Sequence, residues 1–564
     1  MNNKEYNNMR EIINDVAVTY ANNNAFILKN PDKTYRNITF REFAEDIKSL
    51  GTALLKIGLK GKKVAVIGKN RYEWAVSYYA VVNGLGIVVP LDKGLPEQEI
   101  ENSLILSGAE VIFFEEKNLE IIQRIFDKKT TKLKKLICMD DVEKLDTFNK
   151  LLEIGKKEIK KGNNKYSKLK IDNNKTNIIL FTSGTTSIAK AVELSHRNIA
   201  SNVSGLNKRE IVYDTDVDMA FLPFHHTLGC TGLLFFLSNG ATTVFCDGLR
   251  YIAQNLKEYK VSVFFCVPLI IEAMHKKIMN AIEQQGKMKK VRFAQKLSKF
   301  LLFFGIDIRR KLFKEIIDNL GGAMRFVVSG AAAIDKQVAL DFNSFGILTV
   351  QGYGLTETSP VLCAENWEFI RTNSIGKPLP NVTMKIDNPD EEGVGEIIAK
   401  GPNIMKGYYN NKAATKEVLK KGWFYTGDLG RMDEDGYFYI CGRKKNVIVL
   451  KNGKNIYPEE IEILVSKLPY VAENIVFGTP KDDDLVLSTK IVYNKDYVKE
   501  KYGEISNEEL KEKIWTDIKG INSTLANYKH IKNLIVTDEP MIKTTTNKIK
   551  RKEEIEKINK ENEL

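Results

Sequence analysis

Phe181-Thr-Ser-Gly-Thr-Thr-Ser-Ile-Ala-Lys190 follows the apolar run Asn177-Ile-Ile-Leu-Phe181, and its last nine residues hold five hydroxyl side chains, one glycine and one lysine. The apolar run reads as a buried strand. A Gly/Ser/Thr loop leaving a strand can wrap backbone N–H groups and hydroxyls around phosphate oxygens. The lysine at its far end supplies a point charge for the distal phosphates. Taken alone, a polar strand-to-helix turn explains the same residues. A Walker A loop does not, because Lys190 lacks a preceding glycine and Ala191 stands where Ser or Thr would meet magnesium.

Outward from this loop, helical and strand-like patterns alternate. Residues 40–57 repeat apolar positions at helical spacing, and 63–67, 86–90 and 111–114 are short apolar runs. The same alternation returns at 220–222, 242–245, 261–265 and 325–328, which argues for a layered α/β fold. From 393 to 440, tight glycine turns separate short apolar strands, the pattern of a β-rich subdomain. After Arg443 a Lys/Gly-rich loop opens a third pattern. The expected organisation is a large domain over 1–443, built of layered α/β subdomains plus the β-rich one, and a small, mobile α+β domain over 444–564. With 564 residues the chain exceeds one ordinary core.

Composition excludes several classes. Apolar residues make up 43% and charged residues 28%, as in a globular protein. No apolar run reaches the ~18 residues of a spanning helix, and the start lacks the apolar core of a signal peptide. Six scattered cysteines form no Cys-x-x-Cys pair and are expected to be buried thiols in a reducing cytoplasm. The net charge is +13, but Lys (69) so outnumbers Arg (16) that coding bias is the better explanation than a nucleic-acid face. A diffuse positive field still favours anionic substrates. Between Lys276 and Lys314 the only acids are Glu283 and Asp307, and 300–304 reads Phe-Leu-Leu-Phe-Phe. This is either a solvated helical insertion or a basic amphipathic surface for anionic lipid.

Three further segments arrive in order: Gln351-Gly-Tyr-Gly-Leu-Thr-Glu-Thr358, Gly422-Trp-Phe-Tyr-Thr-Gly-Asp428, and Gly442-Arg-Lys-Lys-Asn446 leading into Asn452-Gly-Lys-Asn-Ile-Tyr-Pro-Glu-Glu-Ile-Glu462. Together with the first loop they resemble the adenylate-forming superfamily, closest to bacterial long-chain fatty-acid–CoA ligases, over nearly the whole chain.

The resemblance implies a two-step reaction: ATP activates a fatty acid as acyl-AMP, and coenzyme A, or a free acyl carrier protein, then displaces AMP. A degenerate nucleotide- or lipid-binding protein is the non-catalytic alternative. Thr182, Ser183, Gly184, Thr185, Thr186 and Lys190 would hold the β- and γ-phosphates. Glu357 would bind Mg²⁺ with help from Thr182. Tyr353, flanked by Gly354 and Thr356, would stack on adenine, and Gly330, Ala331 and Ala332 would form a thin wall opposite. Asp428 and Arg443 would take the ribose. His226 would lie beside the substrate carboxylate, and Lys548 would meet the carboxylate and α-phosphate. Lys445 would be the hinge that exchanges Lys548 for the Gly453 loop at the thiol tunnel. The implied location is cytoplasmic, with possible peripheral contact on the inner membrane face. The chain departs from the pattern at Ser187, Ala189 and Ala191, where Gly, Pro and Gly are usual, and at Asn547, where Gly is usual.

Overall fold

The computed structural model describes all residues except 1–3, 183–189, 331, 366–369, 452, 482–483, 544–547 and 563–564. Among the described residues, two large sheets and three smaller ones form a large N-terminal domain and a smaller C-terminal one.

The first sheet has eight strands. Its centre is Lys63–Ile67 (β1), Ile87–Leu91 (β2) and Thr176–Phe181 (β3), all parallel, and Ala191–Ser195 (β4) returns antiparallel to β3. These strands are near-continuous apolar runs because helices cover both faces. Val64, Ala65, Val66 and Ile67, for example, are all buried. The helix Phe40–Lys56 lies against this layer and opens on a capping box, with Thr39 Oγ1 accepting from the Glu42 N–H. Such a cap stabilises a helix by about 1 kcal/mol.

The second sheet has nine strands. Its parallel core comprises Val217–Ala220 (β5), Thr242–Phe245 (β6), Val263–Cys266 (β7), Phe326–Ser329 (β8) and Leu348–Gly354 (β9). β5 ends at Ala220, so the run expected at 220–222 is the exit from a strand. The helix Thr227–Ser238 (α1) covers one face and is buried all round. Pro268–Gln284 (α2) and Met288–Phe303 (α3) belong to the basic segment between β7 and β8. A five-stranded antiparallel sheet follows, including Gly395–Lys400 (β10), Trp423–Met432 (β11) and Phe438–Arg443 (β12).

Beyond Arg443 lie a two-stranded ribbon at Ile448–Val449 and Asn455–Ile456, then a three-stranded sheet whose helices share one apolar core with Ile456, Ile461 and Ile514. The six cysteines are free; five are buried and Cys246 is half-buried.

Candidate active site

The phosphate-loop candidate is followed by an antiparallel strand, β4, and not directly by a helix. β3 and β4 pair in antiparallel register with Phe181 opposite Ala191, and Thr182 donates its N–H to the Lys190 carbonyl at 2.9 Å. The neck thus holds Thr182 and Lys190 side by side at the carboxyl end of β3. Ser183, Gly184, Thr185, Thr186, Ser187 and Ala189 lie outside the described residues. Ala191 is buried in an extended strand position, packed among Ile179 and Phe181. Glycine there would lose core contact and gain no needed freedom.

Lys190 finds its neighbours through a residue the motifs did not flag. Tyr408, on the short edge strand Gly407–Tyr408, pairs with β4 opposite Val192. Its ring lies 4.7 Å from Lys190 Nζ, and its hydroxyl donates to Glu357 Oε1 at 2.8 Å. Tyr408 bridges the lysine and the acid. Burial, and then the Glu357 carboxylate, push its phenol pKa well above the ordinary value, so it stays a donor. Glu357 sits in a single helical turn, Thr356–Thr358, just after β9. That turn is reachable because Gly354 has no side chain: a Cβ there would stand 1.9 Å from the Pro360 carbonyl oxygen. Met405 N–H donates to the Glu357 carbonyl, which ties the turn to the segment leading to Tyr408.

A second polar cluster lies midway along β11, opposite the end of β12. Asp428 and Arg443 face each other across the β11–β12 register. Arg443 Nε stands 2.8 Å from Asp428 Oδ1, and Tyr353 Oη donates to Asp428 Oδ2 at 2.5 Å. Asp428 is buried, which raises its pKa, while Arg443 and the Tyr353 hydrogen bond act the other way. A buried carboxylate with charge-assisted partners on both oxygens is held in one orientation. Tyr353 is half-buried, so part of its surface remains for a stacking partner.

Lys548 joins the two clusters. It remains exposed as a residue, yet desolvation of its ammonium, with the Arg443 cation next, lowers its pKa, and Asp428 opposes. Lys445 is likewise exposed, and its pKa is lowered by desolvation, then by Arg443 and Lys190, while Asp428 raises it. Asp428 in turn feels both Lys548 and Glu357. Lys190, Arg443, Lys445 and Lys548 therefore converge on one region of strong positive potential. Among the described residues no group of three or more His, Cys, Asp or Glu side chains could hold a metal alone.

His226 stands at the N-cap position of α1 without a side-chain capping bond and is half-buried; burial lowers its pKa, Asp92 opposes, and Lys548 lowers it. Its neighbour His225 is the deeper ring, 4.2 Å away between centroids, with Nε2 3.6 Å from Asp92 Oδ1. Both imidazoles stay neutral near neutral pH. Gly330 follows β8, where a Cβ would crowd Leu228 at 3.2 Å, and Ser329 Oγ is buried without a hydrogen-bond partner. Ala332 is exposed, and Ala331 lies outside the described residues. Gly453 turns the two-stranded ribbon at φ +79°, a conformation that favours glycine. Lys454 beside it lies over the Tyr528 ring at 4.3 Å, within the C-terminal domain.

The functional side chains thus follow the carboxyl ends of β3, β5, β8 and β9, where open parallel sheets bind ligands. The AMP-binding enzyme family matches residues 13–409, and the C-terminal domain of AMP-binding enzymes matches residues 445–563. The chain belongs to the AMP-binding enzyme family. Fatty acyl-CoA synthetase A of Dictyostelium discoideum is 30% identical over 479 residues, which cover 80% of this chain and 71% of that protein. The chloroplastic long-chain-fatty-acid–[acyl-carrier-protein] ligase AEE15 of Arabidopsis thaliana is 26% identical over 610 residues, covering 92% and 82%. The fold is also that of the anthranilate CoA ligase AuaEII bound to anthranoyl-AMP, with TM-score 0.75, 21% identity and coverage of 97% and 96%. Members of this AMP-binding family bind ATP or AMP, with coenzyme A as co-substrate.

Proposed function

We propose that this protein is an ATP-dependent, AMP-forming acyl-CoA synthetase for medium- or long-chain fatty acids. The observation that supports the reading is that Lys190, Glu357, Asp428, Arg443 and Lys548 are linked by contacts and mutual fields in one region. Leu222, Leu228, Leu233 and Phe236 line a small apolar cavity between β5 and α1.

A carboxylate is a poor electrophile because its leaving group would be oxide. In the first step its oxygen attacks the α-phosphorus of ATP, the bond to the β-phosphate bridging oxygen breaks, and pyrophosphate leaves. Two anions must approach, so the work is charge neutralisation and alignment. Lys190 faces the distal phosphates from the hairpin neck, beside the loop 183–189. Asp428 and Arg443 take the ribose, Tyr353 stacks on adenine, and Lys548 balances charge on the carboxylate and α-phosphate. Glu357 presents one carboxylate oxygen beyond the one held by Tyr408; Mg²⁺ bound there with phosphate oxygens, Thr182 assisting, would spread the phosphate charge. In the second step a thiolate sulfur bonds to the acyl carbon and the bond to AMP breaks. The domain boundary at 443–445 is the hinge for this change: rotation at Lys445 withdraws Lys548 and brings the Gly453 loop to the thiol.

Coenzyme A is the proposed acceptor. A free acyl carrier protein is the second reading, favoured by the AEE15 relative, which covers more of this chain than the other curated relative named above. Peripheral contact with an anionic membrane is supported by α3. Phe300, Phe303 and Phe304 are exposed, Phe303 by 85%, beside Lys296 and Lys299. No helix among the described residues is long and apolar enough to cross a membrane.

ATP–pyrophosphate exchange with a fatty-acid panel tests the first step, and thioester formation with coenzyme A or carrier protein tests the second. Exchange with no acid overturns the proposal.

A further inference from the structure

The C-terminal sheet has two unlike faces. Val471–Lys481 (β13) and Asp484–Tyr493 (β14) pair antiparallel, and Ile531–Thr537 (β15) lies parallel to β14. Side chains alternate along each strand, so Val476, Leu487 and Ile491 enter the core shared with the domain's helices. Glu473, Ile475, Lys490 and Val492 go to the other face, because Ile475 stands opposite Lys490 and Glu473 opposite Val492. Met541, Ile549 and, from the helix Arg551–Asn562 (α4), Ile558 cover that face.

The covering residues flank Lys548. Two short arms, 541–543 and 548–551, run side by side: Lys543 and Ile549 form an antiparallel bridge, and Lys550 N–H donates to the Ile542 carbonyl at 2.8 Å. Two glutamates hold the first arm. Glu473, on β13, accepts from the Met541 N–H at 3.0 Å through Oε2 and from Lys543 Nζ at 2.6 Å through Oε1. Glu554, on α4, accepts from the Ile542 N–H at 2.9 Å through Oε2 and from Lys490 Nζ at 2.7 Å through Oε1. Each carboxylate thus gives one oxygen to the backbone and one to a lysine. The Lys490 and Glu554 side chains are only 4% and 1% exposed. A buried ion pair is a poor source of stability, because desolvation offsets the attraction and apolar residues of similar volume serve as well. A charge-assisted hydrogen bond to a peptide N–H is directional, and fixes the peptide that it meets. What the two glutamates add is orientation.

We propose that Glu473 and Glu554 are positioning residues for acyl-AMP formation: acting through the peptides of Met541 and Ile542, they set where Lys548 stands. This rests on the role given to Lys548 in the synthetase reading above. The arms are bridged, so a shift of 541–543 carries Lys548 with it, away from Arg443 and Asp428, whose fields it feels. In the second half-reaction Lys548 is withdrawn, and the glutamates have no part.

The test uses the full chain and two pairs of variants. Lys490→Met/Glu554→Leu and Lys490→Met/Glu554→Gln both remove the buried charges, but only the glutamine still accepts from the Ile542 N–H. Glu473→Leu and Glu473→Gln make the same contrast at Met541. Single-turnover adenylation should fall about 10- to 100-fold in each leucine variant, as ångström-scale misplacement does. Thioester formation from pre-made acyl-AMP should stay near wild type, and the glutamine variants should recover most of the adenylation rate. Equal rates in the leucine and glutamine variants overturn the proposal, as does a parallel loss of both half-reactions, which is the mark of a merely structural role. Glu473 is half-buried, so its pair decides the matter if the buried leucine variant does not fold. Amide hydrogen exchange at Ile542 and Lys550 is a readout independent of activity. It should be faster in the leucine variants than in the glutamine ones, and equal exchange also overturns the proposal. If the wild type forms no acyl-AMP with any acid, the synthetase reading fails, and the exchange measurement alone decides this one.

Discussion

Two basic regions of this molecule carry the same charge and do different things. At the candidate site, Lys190, the pair Arg443 and Lys445, and Lys548 come from three distant points of the chain. A ring, an acid or another cation restrains or perturbs each of them. On α3, Lys289, Lys290, Lys296 and Lys299 lie within one helix, exposed to solvent and, among the described residues, without an ion pair. The sequence makes the second region look richer, since its lysines are adjacent. Convergence is what concentrates a field: cations held together under partial desolvation perturb one another's pKa, while solvated ones are screened within a Debye length. A cluster along the sequence makes a surface, whereas a cluster in space makes a site.

The strongest way to break this contrast is Lys548→Ala. Adenylation should fall by about 10³-fold, as when a preorganised donor is removed. Thioester formation from pre-made acyl-AMP should persist, and single-turnover assays of each half-reaction measure both. Equal loss in both would contradict the hinge at Lys445. Next in size, Glu357→Gln should lower exchange by about 10²-fold and weaken its Mg²⁺ dependence, without loss of fold by circular dichroism. Wild-type exchange in that variant would remove Glu357 from the site.

The pH profile of adenylation sharpens the comparison. Lys548 acts as a cation whose pKa lies below 10.5, so activity should fall as pH rises through that lowered value. Asp428 must be ionised, and its pKa is raised above 3.8, so activity should also fall as pH drops through the raised value. Arg443 lowers both, and Arg443→Gln should therefore move both limbs to higher pH. Limbs that stay in place would mean that these groups do not govern the rate.

The smallest catalytic effect belongs to α3. Lys287 and Arg292 already pair with Glu315 and Asp341, so the informative set is Lys289, Lys290, Lys296 and Lys299. Changing all four to glutamine should leave kcat on a short soluble acid unchanged. It should weaken sedimentation with anionic vesicles at least tenfold at low salt, since each basic residue near such a surface contributes about 1 kcal/mol. Phe303→Ser should weaken the same binding at high salt. Equal binding by both variants would leave α3 as a solvated insertion.

Much of this was legible in the chain, because period and turn chemistry are local. The apolar runs at 63–67, 111–114 and 242–245 became strands, 40–57 became a helix ending at Lys56, and the glycine-punctuated 393–440 region became the antiparallel sheet. The domain character and the family followed from motifs whose residue types the chemistry requires. What the chain could not disclose depended on partners distant in sequence. The hairpin behind Lys190 was hidden because β4 is as apolar as the start of a helix. Tyr408 carries no motif, and only its pairing with β4 brings it between Lys190 and Glu357. Asp428 and Arg443 each matched a motif, but that they hold one another was set by the β11–β12 register. Sequence alone determined which elements form and which chemistry is present. Tertiary structure decided which charges are desolvated and paired, because burial and field depend on every element packed around a group and not on its neighbours along the chain.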